Sequence, residues 1–270
     1  MKRILTIAGS DSGGGAGIQA DLKAITLLGG FGMSAITALT AQNTVGVMAV
    51  HQVPVDFIAA QIDAVFTDIG VDAVKTGMLA NSDVVQLVTE KIAWYSPEVV
   101  VVDPVMVAKS GDPLLAEEAR DALIQLLLPR ATMVTPNLPE ASVLAGQQVT
   151  SEIEMRQAAR KIQAAGPAHV LIKGGHLSGA AVDLLFDGQE FYEFRAARLD
   201  TKNTHGTGCT YAAAIATFLA MKMTPRDAVS QAKRFITDAI RHGLPLGRGH
   251  GPTNPYAAVM KSNDGQGAGE

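Results

Sequence analysis

Cysteine is all but missing from this chain: among 270 residues there is one, Cys209. A single thiol closes no internal disulfide and supplies no thiolate metal cluster, so a reducing compartment, the cytoplasm, is the expected location. Charge is scarce as well, at 18%, and nearly balanced, with 22 Lys and Arg against 26 Asp and Glu. Such a composition builds no single-sign field of the kind that draws a protein to nucleic acid or anionic lipid. Long apolar runs are missing too. The stretch after Met1-Lys2-Arg3 stops at Gly9, too short for the apolar core of a secretory peptide. Ala24 to Val50 carries no charge, but Gly29, Gly30 and Gly32 interrupt it, and Gln42 and Asn43 would be stranded in lipid. Both common phosphate fingerprints are absent, since no Gly-x-Gly-x-x-Gly and no Gly-Lys-Ser/Thr occurs.

Against these absences stands an apolar content of 47%. Area scaling gives ~11,000 Å² exposed when folded against ~41,000 Å² for the extended chain, which is ample for one large core. A single domain over residues 1–260 is expected, with the Gly-rich, polar stretch 261–270 as a frayed tail. Short apolar runs without alternation, Arg3–Ala8, Met33–Ala41, Asp72–Lys75, Val99–Val102, Met133–Thr135 and Val170–Ile172, read as strands covered on both faces. Helical patterns separate them: Gly17–Leu28, Val55–Ile69, Ser82–Trp94, Leu115–Leu128 and Glu152–Ala165. The alternation predicts a doubly wound α/β sheet. A hairpin, Val182–Phe186 with Glu190–Phe194, and two helices, Thr207–Met221 and Pro225–His242, follow.

The apolar runs end, on their carboxyl side, in polar or glycine-rich clusters: Gly9 to Gly17, Gln42-Asn43, Thr76-Gly77-Met78, Asp103-Pro104-Val105, Pro136-Asn137 and Gly174-Gly175-His176. Open parallel sheets bind ligands outside the carboxyl ends of their strands. Six clusters therefore predict one cleft along one edge. Glycine between Gly9 and Gly17 lets backbone approach a ligand closely, and Asp21 stands on the next helix, placed to pair with a cation or accept from a substrate. Asn203 to Cys209 opens a helix with glycine on either side of Thr207. Its unpaired N–H groups and the positive end of the dipole form an anion site. A thiol in that first turn is expected to have a lowered pKa, which makes Cys209 a candidate base or nucleophile.

These segments carry a resemblance. Ala8 to Lys23, Thr37 to Thr44, Lys75 to Leu79, Val102 to Asp112, Thr135 to Ala141, Ile172 to His176 and Asn203 to Thr210, in that order, resemble the hydroxymethylpyrimidine and hydroxymethylpyrimidine-phosphate kinases of thiamine biosynthesis, in the ribokinase superfamily. The resemblance implies a ribokinase-like three-layer α/β/α sandwich around a mostly parallel sheet, ATP as co-substrate, Mg²⁺ and a homodimer. It places Gln42 on the aminopyrimidine edge, where an amide offers both donor and acceptor, with Gly9, Ala16, Asp21, Met78 and Val105 around it. Asn137 and Glu140 match an Asn-x-x-Glu pattern associated with Mg²⁺ and phosphate, and Asp103 shares the metal or acts near the acceptor. Lys173, Asn137, Thr207 and Gly208 fall to ATP. Gly206 to Cys209 becomes the anion hole, with Cys209 as base for the substrate hydroxyl.

Two other activities fit some of these residues. A pyridoxal kinase on the same scaffold would put a pyridine ring beside Gln42. A cysteine hydrolase would pair Cys209 with His205, leaving Asn137, Glu140 and Lys173 without a role. A nucleotide-binding module without catalysis would bind ATP and turn none over. The small, polar segment Ala108 to Pro113 is expected to act as a flap that keeps water from the γ-phosphoryl group.

Overall fold

The computed structural model describes residues 1–107, 117–175 and 181–264. The proposed flap, Ala108 to Pro113, therefore lies outside the described residues, as does His176. Nine strands form one sheet: β1 Arg3–Asp11, β2 Phe31–Gln42, β3 Val47–Gln52, β4 Ala73–Thr76, β5 Val99–Val102, β6 Met133–Val134, β7 His169–Gly174, β8 Ala181–Phe186 and β9 Phe191–Ala196. Their order is β3-β2-β1-β4-β5-β6-β7-β8-β9. From β2 to β7 every pairing is parallel. β3, β8 and β9 pair antiparallel and close the two edges.

Alternate residues of each central strand feed opposite faces. Leu5 and Ile7 of β1, with Val100 and Val102 of β5, join one buried cluster; Ile4, Val99 and Val101 join the other. Both faces need cover, which is why these strands read as continuous apolar runs. The first face is covered by α2 Val55–Ala64, α3 Ser82–Tyr95, α4 Glu117–Ala122, α5 Leu138–Ala145 and α6 Glu152–Ala164. α1 Gly17–Leu27, α7 Thr207–Ala220, α8 Pro225–Arg241 and α9 Pro255–Asp264 cover the second. Helix, sheet and helix make the expected three layers. Within the described residues no helix is long and apolar enough to cross a membrane.

The differences from expectation have local causes. β3 is exposed along most of its length, so its apolar residues form no buried pattern. α5 is only eight residues long, with proline in its first turn. α9 runs on to Asp264, four residues into the stretch expected to be tail. The hairpin forms as expected: the Asp187 carboxylate accepts from the N–H of Gln189 and of Glu190, and Gly188 takes φ +94° between them.

Ile7, on β1 between β2 and β4, is fully buried. Ile7→Ala should lower the unfolding free energy by about 2–5 kcal/mol, read from the urea midpoint at unchanged slope. A loss below about 1 kcal/mol would show that this layer repacks around the gap.

Candidate active site

A cleft of about 800 Å³ opens along the carboxyl edge of the parallel strands. It sits where the strand order reverses, with β2 and β4 on either side of β1, the position at which open α/β sheets place their ligands. Gly9, Ala16, Gln42, Met78 and Val105 line it, and so do Asp103, Asn137, Glu140 and Lys173. The start of α7, Gly206 to Cys209, completes the wall.

Local sequence explains each placement. The β1–β2 register breaks between Ala8 and Ser10, and a side chain at Gly9 would come within 2.7 Å of Met78 Cε. Such bulges re-aim a strand end towards a site. Gln42, at the end of β2, is held by Ser12: its N–H donates to Ser12 Oγ, whose hydroxyl donates to the Gln42 carbonyl. Thr40 Oγ1 lies 2.9 Å from the Ser10 carbonyl oxygen and 3.0 Å from Gln42 Oε1, so its one hydroxyl proton is shared between them and the outer edge of the Gln42 amide faces the cleft. α3, α5, α6 and α8 each have a side-chain cap, from Asn81, Asn137, Ser151 and Thr224. α7 has none, and its N-cap Gly206 stands at φ +78°. The Thr207 N–H turns back to the Thr204 carbonyl at 3.3 Å, so the amides of Gly208 and Cys209 are the first-turn donors left to an anion.

A family model, phosphomethylpyrimidine kinase, matches residues 11–254. The chain belongs to the phosphomethylpyrimidine kinase family. The thiamine biosynthesis bifunctional protein ThiED of Geobacter sulfurreducens is 55% identical over 97% of this chain, which spans 54% of that longer relative. A hydroxymethylpyrimidine/phosphomethylpyrimidine kinase of Streptomyces coelicolor is 52% identical over 93% of each chain. Among solved structures, an ADP complex of Bacillus subtilis pyridoxal kinase matches with TM-score 0.90 at 42% identity, over 95% of this chain and 98% of its own. The fold is ribokinase-like, and the chain is a kinase.

Two buried lysine–aspartate pairs lie at the floor of the kinase's cleft and beneath it. Lys173 Nζ donates to Asp103 Oδ1 at 2.9 Å, and Thr135 Oγ1 donates to the same oxygen at 3.2 Å. Burial opposes both charges, but each partner holds the other: Asp103 lies below the usual carboxylate range and Lys173 above its ordinary value. Beneath them, wholly buried Lys75 donates to Asp21 Oδ2 at 2.9 Å, and Thr6 Oγ1 donates to the same atom at 2.6 Å. Burial works against the Lys75 ammonium; Asp21, Cys209 and Asp103 outweigh it and raise its pKa.

Several expectations need correction. Asp21 does pair with a cation, but it is wholly buried under the cleft and lines no part of it. The Cys209 thiol is not acidified. Burial pushes it up to about 11, with Asp21 and Asp103 adding to the effect and Lys75 opposing it, so the helix dipole loses to desolvation and to neighbouring carboxylates. His205 does not serve Cys209: its Nε2 lies 2.8 Å from Asp11 Oδ2, and no hydrolase dyad forms. Asn137 and Glu140 first of all cap α5, each side chain bonding the other's backbone N–H, at 2.9 and 2.8 Å. Thr207 Oγ1 donates to the Thr204 carbonyl, so that hydroxyl is already engaged.

Lys75, Asp11 and the pair Lys233–Asp183, at 2.7 Å, went unread in the sequence. Asp183 also accepts from the N–H of Gly174, next to Lys173. A lysine inside a strand with both faces covered was the available signal for Lys75, because such a charge needs a partner.

Glu140 titrates in the folded kinase near 7, raised from 4.5 chiefly by burial, with Asp103 adding and Lys173 opposing. The folded state then holds this proton across a range in which the unfolded chain has released it. Stability contributed by Glu140 is full below about 4.5 and declines as pH rises to about 7. Glu140→Gln, which keeps an acceptor for the Asn137 N–H, should flatten that decline in urea unfolding measured across the window. An unchanged slope would mean that the carboxyl titrates normally.

Proposed function

We propose that this kinase transfers the γ-phosphoryl group of ATP to the hydroxymethyl group of 4-amino-5-hydroxymethyl-2-methylpyrimidine and, in a second turn, to the resulting monophosphate, giving the diphosphate used in thiamine biosynthesis. One observation carries the reading: the uncapped start of α7 and the buried Lys173–Asp103 pair share a cleft with Gln42. Amides and ammonium suit phosphates, and the amide suits an aminopyrimidine edge. The names of the relatives support the same substrate.

The acceptor oxygen attacks the γ-phosphorus, the bond to the ADP oxygen breaks, and the hydroxyl proton passes to Cys209. Positioning and charge neutralisation account for most of such a transfer. Gly206 to Cys209 receives the developing charge on the phosphoryl oxygens through backbone amides, and Lys173 meets the ATP phosphates. Gly9, Ala16, Met78 and Val105 enclose the ring. Cys209 accepts a proton only as thiolate; burial, Asp21 and Asp103 oppose that form and the Lys75 ammonium favours it, so the transfer draws on a minor thiolate fraction at neutral pH.

The residues present fit Mg²⁺. Within the described residues no three acidic, His or Cys side chains form a metal cage, but this ion needs only one or two carboxylates beside substrate phosphates. Asp103 and Glu140 flank Lys173 and act on its ammonium, and a nearby cation would restore charge to the Glu140 carboxyl. These two would hold the ion. Bound there, Mg²⁺ would neutralise charge on the β- and γ-phosphates.

ATP consumption measured with the hydroxymethylpyrimidine, its monophosphate and pyridoxal should show turnover with both pyrimidines. Turnover with pyridoxal alone would move the assignment to the pyridoxal kinases that the solved neighbour represents. Cys209→Ala should lower kcat by about 10²–10⁴ and remove an alkaline rise of kcat that tracks a thiol near 11. A pH-flat wild type would take Cys209 out of proton transfer. Gln42→Leu should weaken pyrimidine binding by about 1–3 kcal/mol and leave ATP binding intact; equal calorimetric losses for both ligands would indicate general damage instead.

A further inference from the structure

The loop after β1 and the turn before α7 meet at one buried contact. Asp11 Oδ1 accepts from the Gly13 N–H at 2.8 Å; Oδ2 accepts from the N–H groups of Gly15 at 3.1 Å and Ala16 at 2.8 Å. His205 Nε2 completes the set at 2.8 Å. Burial opposes the Asp11 charge, yet these donors keep its pKa below the ordinary value. The carboxylate is acceptor-only, so Nε2 is the protonated ring nitrogen and donates.

The two segments are in backbone contact as well. A Cβ at Gly206 would lie 1.7 Å from the Gly15 carbonyl oxygen, and one at Gly15 would lie 2.3 Å from His205 Cδ2. On one side of the contact, Asp11 is followed by Ser12, which holds Gln42 through two hydrogen bonds. On the other, His205 is followed by Gly206, where the anion-binding turn begins. The pair thus stands between the residue that reads the ring and the amides that receive the phosphoryl group. Asp11 has both oxygens engaged and His205 has spent Nε2 on it, so each serves the loops ahead of any ligand.

We infer that Asp11 and His205 are positioning residues for the transfer: their hydrogen bond fixes the separation between the glycine loop and the start of α7, so that acceptor hydroxyl and γ-phosphate stand in line. The inference rests on the phosphoryl-transfer reading of the cleft. It makes the pair matter more for the transition state than for binding either substrate, because displacement of about 1 Å from in-line geometry costs about 10²-fold in rate.

The test measures kcat with the pyrimidine and ATP, together with Kd for the pyrimidine alone and for an unreactive ATP analogue alone. His205→Ala should lower kcat about 10²-fold while each Kd moves less than about threefold. His205→Gln, which keeps an N–H donor, should recover most of that loss. Asp11→Asn, whose NH₂ must face either the Gly13 N–H or the donors of Gly15, Ala16 and His205, should be at least as slow as His205→Ala, and the double variant should be no slower than the slower single one, since both singles disturb the same contact. If His205→Ala does not fold, His205→Gln against Asp11→Asn gives the same comparison. Full activity in His205→Ala or Asp11→Asn, additive losses, or kcat and both Kd values falling together would overturn the clamp. Wild-type protein that releases no ADP with either pyrimidine would instead overturn the reading of the cleft beneath it.

Discussion

Lys75 Nζ and Asp21 Oδ2 stand 2.9 Å apart with both side chains closed to solvent, joining the central strand β4 to α1 directly under the cleft. A buried pair of this kind contributes little net stability when intact, yet removing one partner costs about 3–5 kcal/mol because the other charge is stranded. Its value here is positional. The same ammonium acts on Asp103 and on Cys209, so one cation serves three groups at the floor of the cleft. The lining carries as many cations as carboxylates, with Lys173, Lys233, Arg198 and Lys202 beside Asp11, Asp103, Glu140 and Asp183. Two of those lysines are already paired, Lys173 with Asp103 and Lys233 with Asp183. Amide donors on α7 and a divalent cation are the means that add attraction without adding a side-chain charge.

The sheet delivers these groups to one place because they leave neighbouring strand ends. Asp11 ends β1, Asp103 follows β5, Asn137 follows β6 and Lys173 lies near the end of β7. Parallel pairing aligns those ends. α7, packed on the second face, supplies the amides at the same level. Loops then need only short reaches, and most of the cleft wall is fixed by a core whose two layers are both densely apolar.

Much of this was legible in the residues themselves. Uninterrupted valines at Val99–Val102 required cover on both faces, and the run of polar strand endings located the cleft before any coordinates. The glycines flanking Thr207 marked an open helix start correctly. A short polar motif can have more than one chemical use. Asn137-x-x-Glu140 is a capping box, a signal readable from spacing, and both residues also line the cleft. Cys209 was placed at a positive dipole, which is right, but its carboxylate neighbours come from residues 21 and 103, which no local pattern reveals. Asp11 and His205 are 194 residues apart, and only the folded chain brings them together. β3 escaped notice because an exposed edge strand leaves no buried period.

The thiol at Cys209 has a consequence for the chemistry of damage. Peroxide and alkylating electrophiles react with thiolate, not thiol. A group held to about 11 is almost wholly protonated at neutral pH, so this sulfur, although it lines an open cleft, is a slow target compared with an ordinary exposed cysteine. Burial, with the carboxylates of Asp21 and Asp103 beside it, raises this pKa, so the surroundings that make the thiol a reluctant base also slow its chemical damage.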